Sequence, residues 1–326
     1  MIGMIDRRLS VAPMMERTDR HCRYFLRLIS PRALLYSEMI TAPAVIHGVR
    51  DRLLGFDPAE HPVALQLGGG DPRELAVCAE IAEDWGYDEI NLNVGCPSSR
   101  VKSGRFGACL MAKPDVVGRC VAAMATATRL PVTVKCRTGI DSRNGYDNLR
   151  HFVATVAGAG CGTVIVHARD AYLDGLDPKQ NREIPPLRYD LVYRLKDDFP
   201  DLEIILNGGI ASLDTVDDAM VHLDGVMIGR EAYGNPWFLA EIEQQLYGDA
   251  GMATSRRAVI DGFVDYARRH HDDGVPLHRM TRHIFGLYQR RPGARAWRRH
   301  LGQNAHRPDI DAGLIADAAA LVDQSR

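Results

Sequence analysis

No stretch of the 326-residue chain approaches the roughly 18 consecutive apolar residues that a membrane-crossing helix needs. The opening M-I-G-M-I-D-R-R-L-S also lacks an apolar run of signal-peptide length, so a cytoplasmic protein without membrane contact is expected. The seven cysteines are odd in number and form no C-x-x-C pair. That argues against a disulfide framework, and no His/Cys spacing calls for a metal. No G-x-G-x-x-G follows an early strand, which removes the usual signature of a dinucleotide-binding sheet. Internal repeats and low-complexity segments are missing too.

Lysine is absent from residues 250–326, yet that segment carries 13 Arg against 8 Asp, a balance of +5. With a net charge of −2 overall, the preceding residues hold −7. Between Arg279 and Arg307 there are eight arginines and no acid, a block suited to a polyanionic partner.

Short β-rich runs alternate with amphipathic helical ones from the start. The strands are expected at Leu9 to Met14, Leu34 to Met39, Val63 to Gly68, Glu89 to Gly95, Val132 to Cys136, Thr163 to Ala168, Glu203 to Gly208 and Gly225 to Arg230. Helical patterns such as Asp71 to Trp85, Pro114 to Thr128, Tyr146 to Ala159 and Arg188 to Phe199 lie between them. Eight such alternations with apolar strands predict an α/β fold, a TIM (β/α)8 barrel over residues 1–247. A doubly wound open sheet is the alternative. Only helical pattern follows a linker-like run at 248–254, predicting a small all-helical, Arg-rich domain over 248–326.

Active sites of such barrels are built where the strands end. The tips here are Pro13 with Met14, Glu38, Gln66, Asn93, Lys135 with Arg137, His167, Asn207 with Gly208 and Gly209, and Gly229 with Arg230. One polar tip is ordinary turn or surface chemistry; nearly every tip being polar points to a site. The glycines of N-G-G-I and G-R-E-A-Y let a phosphate approach main-chain N–H groups at a helix start, and Arg230 can add a charge-assisted bond. Gln66 can bond a ring carbonyl or nitrogen, Lys135 can place charge beside an electron-rich ring, and the backbone at Pro13 to Met15 can pair with the ring's edge. That set suits a flavin mononucleotide; a sugar-phosphate substrate is the alternative. Cys96 follows the strand ending at Val94, between Gly95 and Pro97, and Ser103 to Met111 is glycine-punctuated enough to close as a lid. As an acid, the Cys96 thiol must keep its proton. Cys22, Cys78 and Cys120 fall on helical faces and are expected in the core. Cys109 and Cys136 have no evident partner in the sequence.

The segments S-V-A-P-M, H-P-V-A-L-Q-L-G, N-L-N-V-G-C-P-S, V-T-V-K-C-R-T-G, V-I-V-H-A-R, L-N-G-G-I and G-V-M-I-G-R-E-A-Y occur in this order from Ser10 to Tyr233. Together they resemble the tRNA-dihydrouridine synthases. Three further stretches, around Cys22, Lys179 and Trp297, are similar to the bacterial subfamily A, whose targets are uridines 20 and 20a. The resemblance implies an FMN enzyme that reduces the C5=C6 bond of uridine in the tRNA D-loop, with NADPH, or NADH, as reductant. It assigns FMN to Pro13, Met14, Met15, Gln66, Lys135, His167, Asn207, Gly208, Gly209, Gly229 and Arg230. Cys96 takes the place of the cysteine that protonates C5, and Asn93, Lys179, Arg182, Arg295 and Arg298 match positions that contact tRNA. A monomer is expected.

One departure from the family's pattern is Arg17 in M-M-E-R-T-D, where an aromatic residue is common. The arginine block supplies the phosphate-tracking surface that a splayed-out uridine requires, and R-R-P-G-A-R-A-W-R-R interleaves a tryptophan with five arginines in the manner of an RNA contact. Two other functions stay open at this point: a flavoenzyme acting on a free pyrimidine, which leaves the arginines unused, and an RNA-binding protein without chemistry, which leaves Cys96, Lys135 and His167 unused.

Overall fold

The structure, a computed structural model, describes residues 5–98, 104, 106–248 and 255–323. Among these, nine short strands form one sheet: β1 (Leu9–Val11), β2 (Leu34–Tyr36), β3 (Ile40–Thr41), β4 (Val63–Gly68), β5 (Glu89–Asn93), β6 (Val132–Arg137), β7 (Thr163–His167), β8 (Glu203–Asn207) and β9 (Gly225–Ile228). All pairings are parallel. The order β2-β1-β9-β8-β7-β6-β5-β4 closes on itself through β2–β4, giving a TIM barrel. Strands whose two faces are both covered must be apolar on both, and V-A-L-Q-L-G and T-V-I-V-H satisfy this.

The expected second strand, Leu34 to Met39, is split. β2 and β3 both pair with β4, in the registers Tyr36↔Ala64 and Ile40↔Leu67. Between them Ser37 N–H donates to the Ala64 carbonyl at 2.9 Å, and the Ser37 hydroxyl accepts the Gln66 N–H at 3.0 Å. A side-chain oxygen thus does the work of a ladder carbonyl, and the strand can break there.

Two compact units divide the chain. One comprises the chain up to Met15 with Leu34–Gly229, and the other Glu16–Ala33 with the chain from Arg230 onward. The division differs from the expected boundary at 247/248, because the helix Arg20–Ile29 and the helices at 230–247 associate with the C-terminal helices.

Inside the barrel unit, Ala12, Leu34, Tyr36, Ala64, Ile165, Ile205 and Met227 form an apolar cluster. The β5–β6 side is polar instead: Glu89, Asn91 and Thr133 are buried. Inward positions at period two along β5 read Glu-x-Asn-x-Asn, with Ile90 and Leu92 facing the other way.

The second unit is held by aromatic packing. Tyr24 stacks on Tyr266 at 3.9 Å, and Phe25 meets Phe263 edge-on at 5.4 Å, joining Arg20–Ile29 to the helix Arg256–Asp272. Arg17 places its guanidinium over the Tyr233 ring, 4.8 Å from its centre, a cation–π contact. The stretch His283 to Tyr288, expected to be helical, is a series of turns from 282 to 290. Two of its carbonyls accept from side chains, Ile284 from Trp297 Nε1 at 3.2 Å and Leu287 from Arg256 Nε at 2.9 Å, while main-chain bonds such as Leu287 N–H to the Ile284 carbonyl at 3.1 Å are of the i→i+3 kind. At Gly286 the chain runs so close to the Gly234 carbonyl that a Cβ would come to 2.6 Å. Among the described residues no helix is long and apolar enough to cross a membrane.

Candidate active site at the strand ends

The barrel registers set Asn93 beside Lys135, Arg137 beside His167 and His167 beside Asn207. Four neighbouring strands therefore deliver their polar tips to one mouth. Lys135 Nζ donates to Asn207 Oδ1 at 2.8 Å, while Asn207 Nδ2 donates to the Met227 carbonyl at 2.7 Å. Asn93 Nδ2 donates to Gln66 Oε1 at 2.8 Å.

The mouth is rich in cations at close quarters. Burial first, and then the Arg137 charge, lower Lys135 to about 7. The same order of causes, with Lys135 third, holds His167 well below the ordinary imidazole range, so it is neutral. Arg137 is itself buried and lowered to about 10, chiefly by desolvation.

Cys96 is half-buried on the turn that leaves β5. Its main-chain N–H and that of Gly95 both donate to Asn93 Oδ1, at 3.0 and 3.2 Å. The Gly95 carbonyl accepts from Arg137 Nε at 3.0 Å, and the Cys96 carbonyl accepts the Ala108 N–H at 2.9 Å. The thiol lies 3.5 Å from the Ser98 hydroxyl. Of the expected lid, residues 103 and 105 lie outside the described residues; Gly107–Ala112 is a short 3-10 helix tied to the Cys96 carbonyl through Ala108.

Gly208 and Gly209 have φ of 109° and 72°, a region that favours glycine. A Cβ at Gly208 would come within 2.5 Å of the His167 ring, and one at Gly209 within 2.5 Å of Leu187. Tyr189 fixes the turn by donating its hydroxyl to the Gly208 carbonyl at 2.6 Å. The helix after this turn spans Leu213–His222. Ser212 caps it by accepting the Thr215 N–H at 3.3 Å, and Asp214 lies in its first turn. The glycine turn, rather than the helix end, is thus the bare backbone here.

Pro13 and Met14 are half-buried at the β1 tip and Met15 is 52% exposed. Gly229 ends the barrel unit, and Arg230 opens the helix Arg230–Gly234 of the second. Lys179 and Arg182 are exposed in the loop after β7. Sequence reading gave that loop no anchor, but buried Asn181 is one. Its Nδ2 donates to the carbonyls of Tyr172, Leu176 and Asp177, and its Oδ1 accepts the Tyr172 N–H at 2.7 Å. Arg137, which the sequence placed at a tip without a role, links this loop to the cysteine turn. It donates to the carbonyls of Asn181 at 2.8 Å and Asp170 at 3.3 Å as well as to Gly95.

In the second unit, Arg295 and Arg298 are exposed on the helix Ala294–Asn304, with Arg298 donating to Gln289 Oε1 at 3.1 Å. Trp297, read from sequence as part of an RNA-contacting run, is buried and meets Tyr288 edge-on at 5.0 Å. Its place on the inward helical face makes it core, not surface. Cys22, Cys78 and Cys120 are buried, and burial raises Cys78 to about 12 and Cys120 to about 11. Cys136 is likewise raised to about 12, and half-buried Cys109 donates to the Phe106 carbonyl at 2.8 Å. Among the described residues no cluster of three or more His, Cys, Asp or Glu could hold a metal ion.

Comparison with known proteins places this chain in a family. A family model described as dihydrouridine synthase (Dus) matches residues 10–321. The tRNA-dihydrouridine(20/20a) synthase of Shewanella oneidensis is 56% identical over 303 residues, covering 93% of this chain and 90% of that one. The protein of the same name from Vibrio cholerae is 54% identical over 316 residues, 97% and 96% of the two chains. The one from Synechocystis is 55% identical over 310 residues, 95% and 90%. Among solved structures, an old yellow enzyme homologue from Zymomonas mobilis superposes with a TM-score of 0.52 at 13% identity, covering 73% of this chain and 89% of that one, and so shares the barrel fold. The chain belongs to the dihydrouridine synthase family.

Proposed function

We propose that this protein reduces the C5=C6 bond of uridine in the tRNA D-loop, at positions 20 and 20a, to 5,6-dihydrouridine. The observation that carries the reading is a cysteine held on a doubly anchored turn beside a cationic barrel mouth, in a chain whose relatives bear the name of that reaction. The mouth has the chemistry for FMN: a bare glycine turn, a lysine, a neutral imidazole and two carboxamides. Gln66, Lys135, His167 and Asn207 would hold the ring and its side chain, with the backbone of Pro13, Met14 and Met15 at its edge. Gly208, Gly209 and Gly229, with Arg230 next in the chain, would hold the phosphate. When bound, FMN supplies the hydride that reaches C6 and is restored by NADPH or NADH.

Cys96 gives its thiol proton to C5, so hydride plus proton account for the two hydrogens added, and the thiolate left behind regains a proton from solvent. Arg137 places positive charge near the sulfur at that moment. Asn93, Lys179, Arg182, Arg295 and Arg298 contact the tRNA. A free pyrimidine would need none of the exposed arginines, which favours the polynucleotide substrate.

Cys96→Ala tests the assignment. The purified variant should still bind FMN and accept electrons from NADPH, while dihydrouridine formed on unmodified tRNA falls by about 10²–10⁴-fold. Undiminished turnover in Cys96→Ala, or a wild-type protein that takes up no flavin, would overturn the reading.

A further inference from the structure

The buried side chains on the β5–β6 side of the barrel form a continuous hydrogen-bonded file that ends at the cysteine turn. Arg7 Nε donates to Glu89 Oε2 at 2.7 Å. Glu89 Oε1 accepts from Tyr36 at 2.5 Å and from the Thr133 hydroxyl at 2.7 Å. Thr133 Oγ1 accepts from Asn91 Nδ2 at 2.9 Å, and Asn91 Oδ1 accepts from Gln66 Nε2 at 2.8 Å. Gln66 Oε1 accepts from Asn93 Nδ2, and Asn93 Oδ1 receives the N–H groups of Gly95 and Cys96. Glu89, Asn91, Thr133 and Gln66 are all within 1% of full burial.

The two ends fix the direction of every bond between them. A carboxylate paired with arginine only accepts, and a main-chain N–H only donates. Thr133 must therefore turn a lone pair toward Asn91, which leaves its hydrogen for Glu89 at 2.7 Å, with the Ile90 carbonyl a longer second acceptor at 3.3 Å. Each of the three carboxamides is then left one orientation in which all members are satisfied. A carboxamide is otherwise free to present oxygen or nitrogen, so this constraint decides which atom Asn93 shows to the Cys96 turn. A buried network satisfied in a single way rigidifies what it touches. The cluster beside them is apolar.

We infer that this file positions Cys96 for proton delivery, with Thr133 and Asn91 as positioning residues that touch neither substrate nor cofactor. The inference rests on the proposed function for what Cys96 does, but not for how its turn is held. The most direct test is Thr133→Val, which keeps the shape and removes the hydroxyl, beside Thr133→Ser, which keeps the hydroxyl. Amide hydrogen exchange of the segment 94–98 in the protein as purified should rise about tenfold in Thr133→Val and stay near wild type in Thr133→Ser. With the flavin reduced by NADPH beforehand, dihydrouridine formation at saturating tRNA should fall about tenfold in Thr133→Val, with tRNA affinity and the rate of flavin reduction unchanged. Glu89→Gln, whose amide can donate as well as accept, should give the same pattern.

Unchanged exchange at 94–98 in Thr133→Val would overturn the inference. So would equal losses in the Val and Ser variants accompanied by faster exchange throughout the barrel strands, which would mean ordinary packing. A wild-type protein that forms no dihydrouridine would sink the proposed function instead, and the exchange comparison would still decide the role of the file.

Discussion

The burial of Lys135 makes stability depend on pH. Its ordinary pKa is 10.5, and burial, followed by the Arg137 charge, brings it to about 7 in the folded protein. Between those values the unfolded chain holds a proton that the folded one has released, so stability rises as pH climbs from about 7 toward 10.5. Lys135→Met should flatten that rise, read as the difference between wild-type and variant urea midpoints at about pH 7 and about pH 9.5; parallel curves would show that the lysine is not the titrating group. At this scale the sequence was informative about Cys96, Lys135, His167 and Asn207, because a polar residue at the end of an apolar run marks a strand tip. It put Arg137 at a strand tip but gave it no role, and it was silent on Asn181; the partners of both are main-chain groups that only the folded chain brings together. Glu89, Asn91 and Thr133 were hidden for another reason: a strand covered on both faces is expected to be apolar, and a polar inward row offers no turn chemistry to notice.

The helix Ala294–Asn304 shows how one element serves two purposes. Arg295, Arg298 and Arg299 lie exposed, while Trp297, between them in sequence, is buried with its Nε1 on the Ile284 carbonyl. Trp297→Ala should therefore destabilise the protein by about 3–5 kcal/mol, measured by urea unfolding, and Trp297→Phe by less. A stable Trp297→Ala protein with impaired tRNA binding would instead restore the tryptophan to the surface role first expected of it. The eight barrel strands could be located from sequence because each is a short, mainly apolar run between helical patterns. The break in the second strand could not, since it depends on the Ser37 hydroxyl meeting the Gln66 N–H across to a neighbouring strand. The turns at 282–290 escaped notice likewise: their main-chain bonds are of the i→i+3 kind, as from Leu287 N–H to the Ile284 carbonyl, and side chains from residues 256 and 297 add donors to the Leu287 and Ile284 carbonyls.

For the molecule as a whole, positive charge is concentrated toward the C-terminal side, where residues 250–326 hold 13 Arg against 8 Asp. If Arg295 and Arg298 meet phosphates, Arg295→Ala with Arg298→Ala should weaken tRNA binding and reduce the slope of log affinity against log salt by about 2. Flavin reduction by NADPH should not change. Equilibrium binding over a salt series reads this, and an unaltered slope would show that these arginines face solvent. The barrel was legible at this scale because its units repeat along the chain. The division into units was not, because Arg20–Ile29 finds its partners in a segment more than two hundred residues further on. That separation has a consequence for how the protein is made. As synthesis proceeds, the helix bearing Tyr24 and Phe25 leaves the ribosome long before Phe263 and Tyr266 exist to cover it, and transiently uncovered apolar surface invites aggregation. A chain stopped at residue 254 would keep that face bare permanently. Its soluble yield should drop sharply and recover when residues 255–326 are co-expressed as a separate piece; a soluble, monodisperse truncated chain would show that the face needs no such cover.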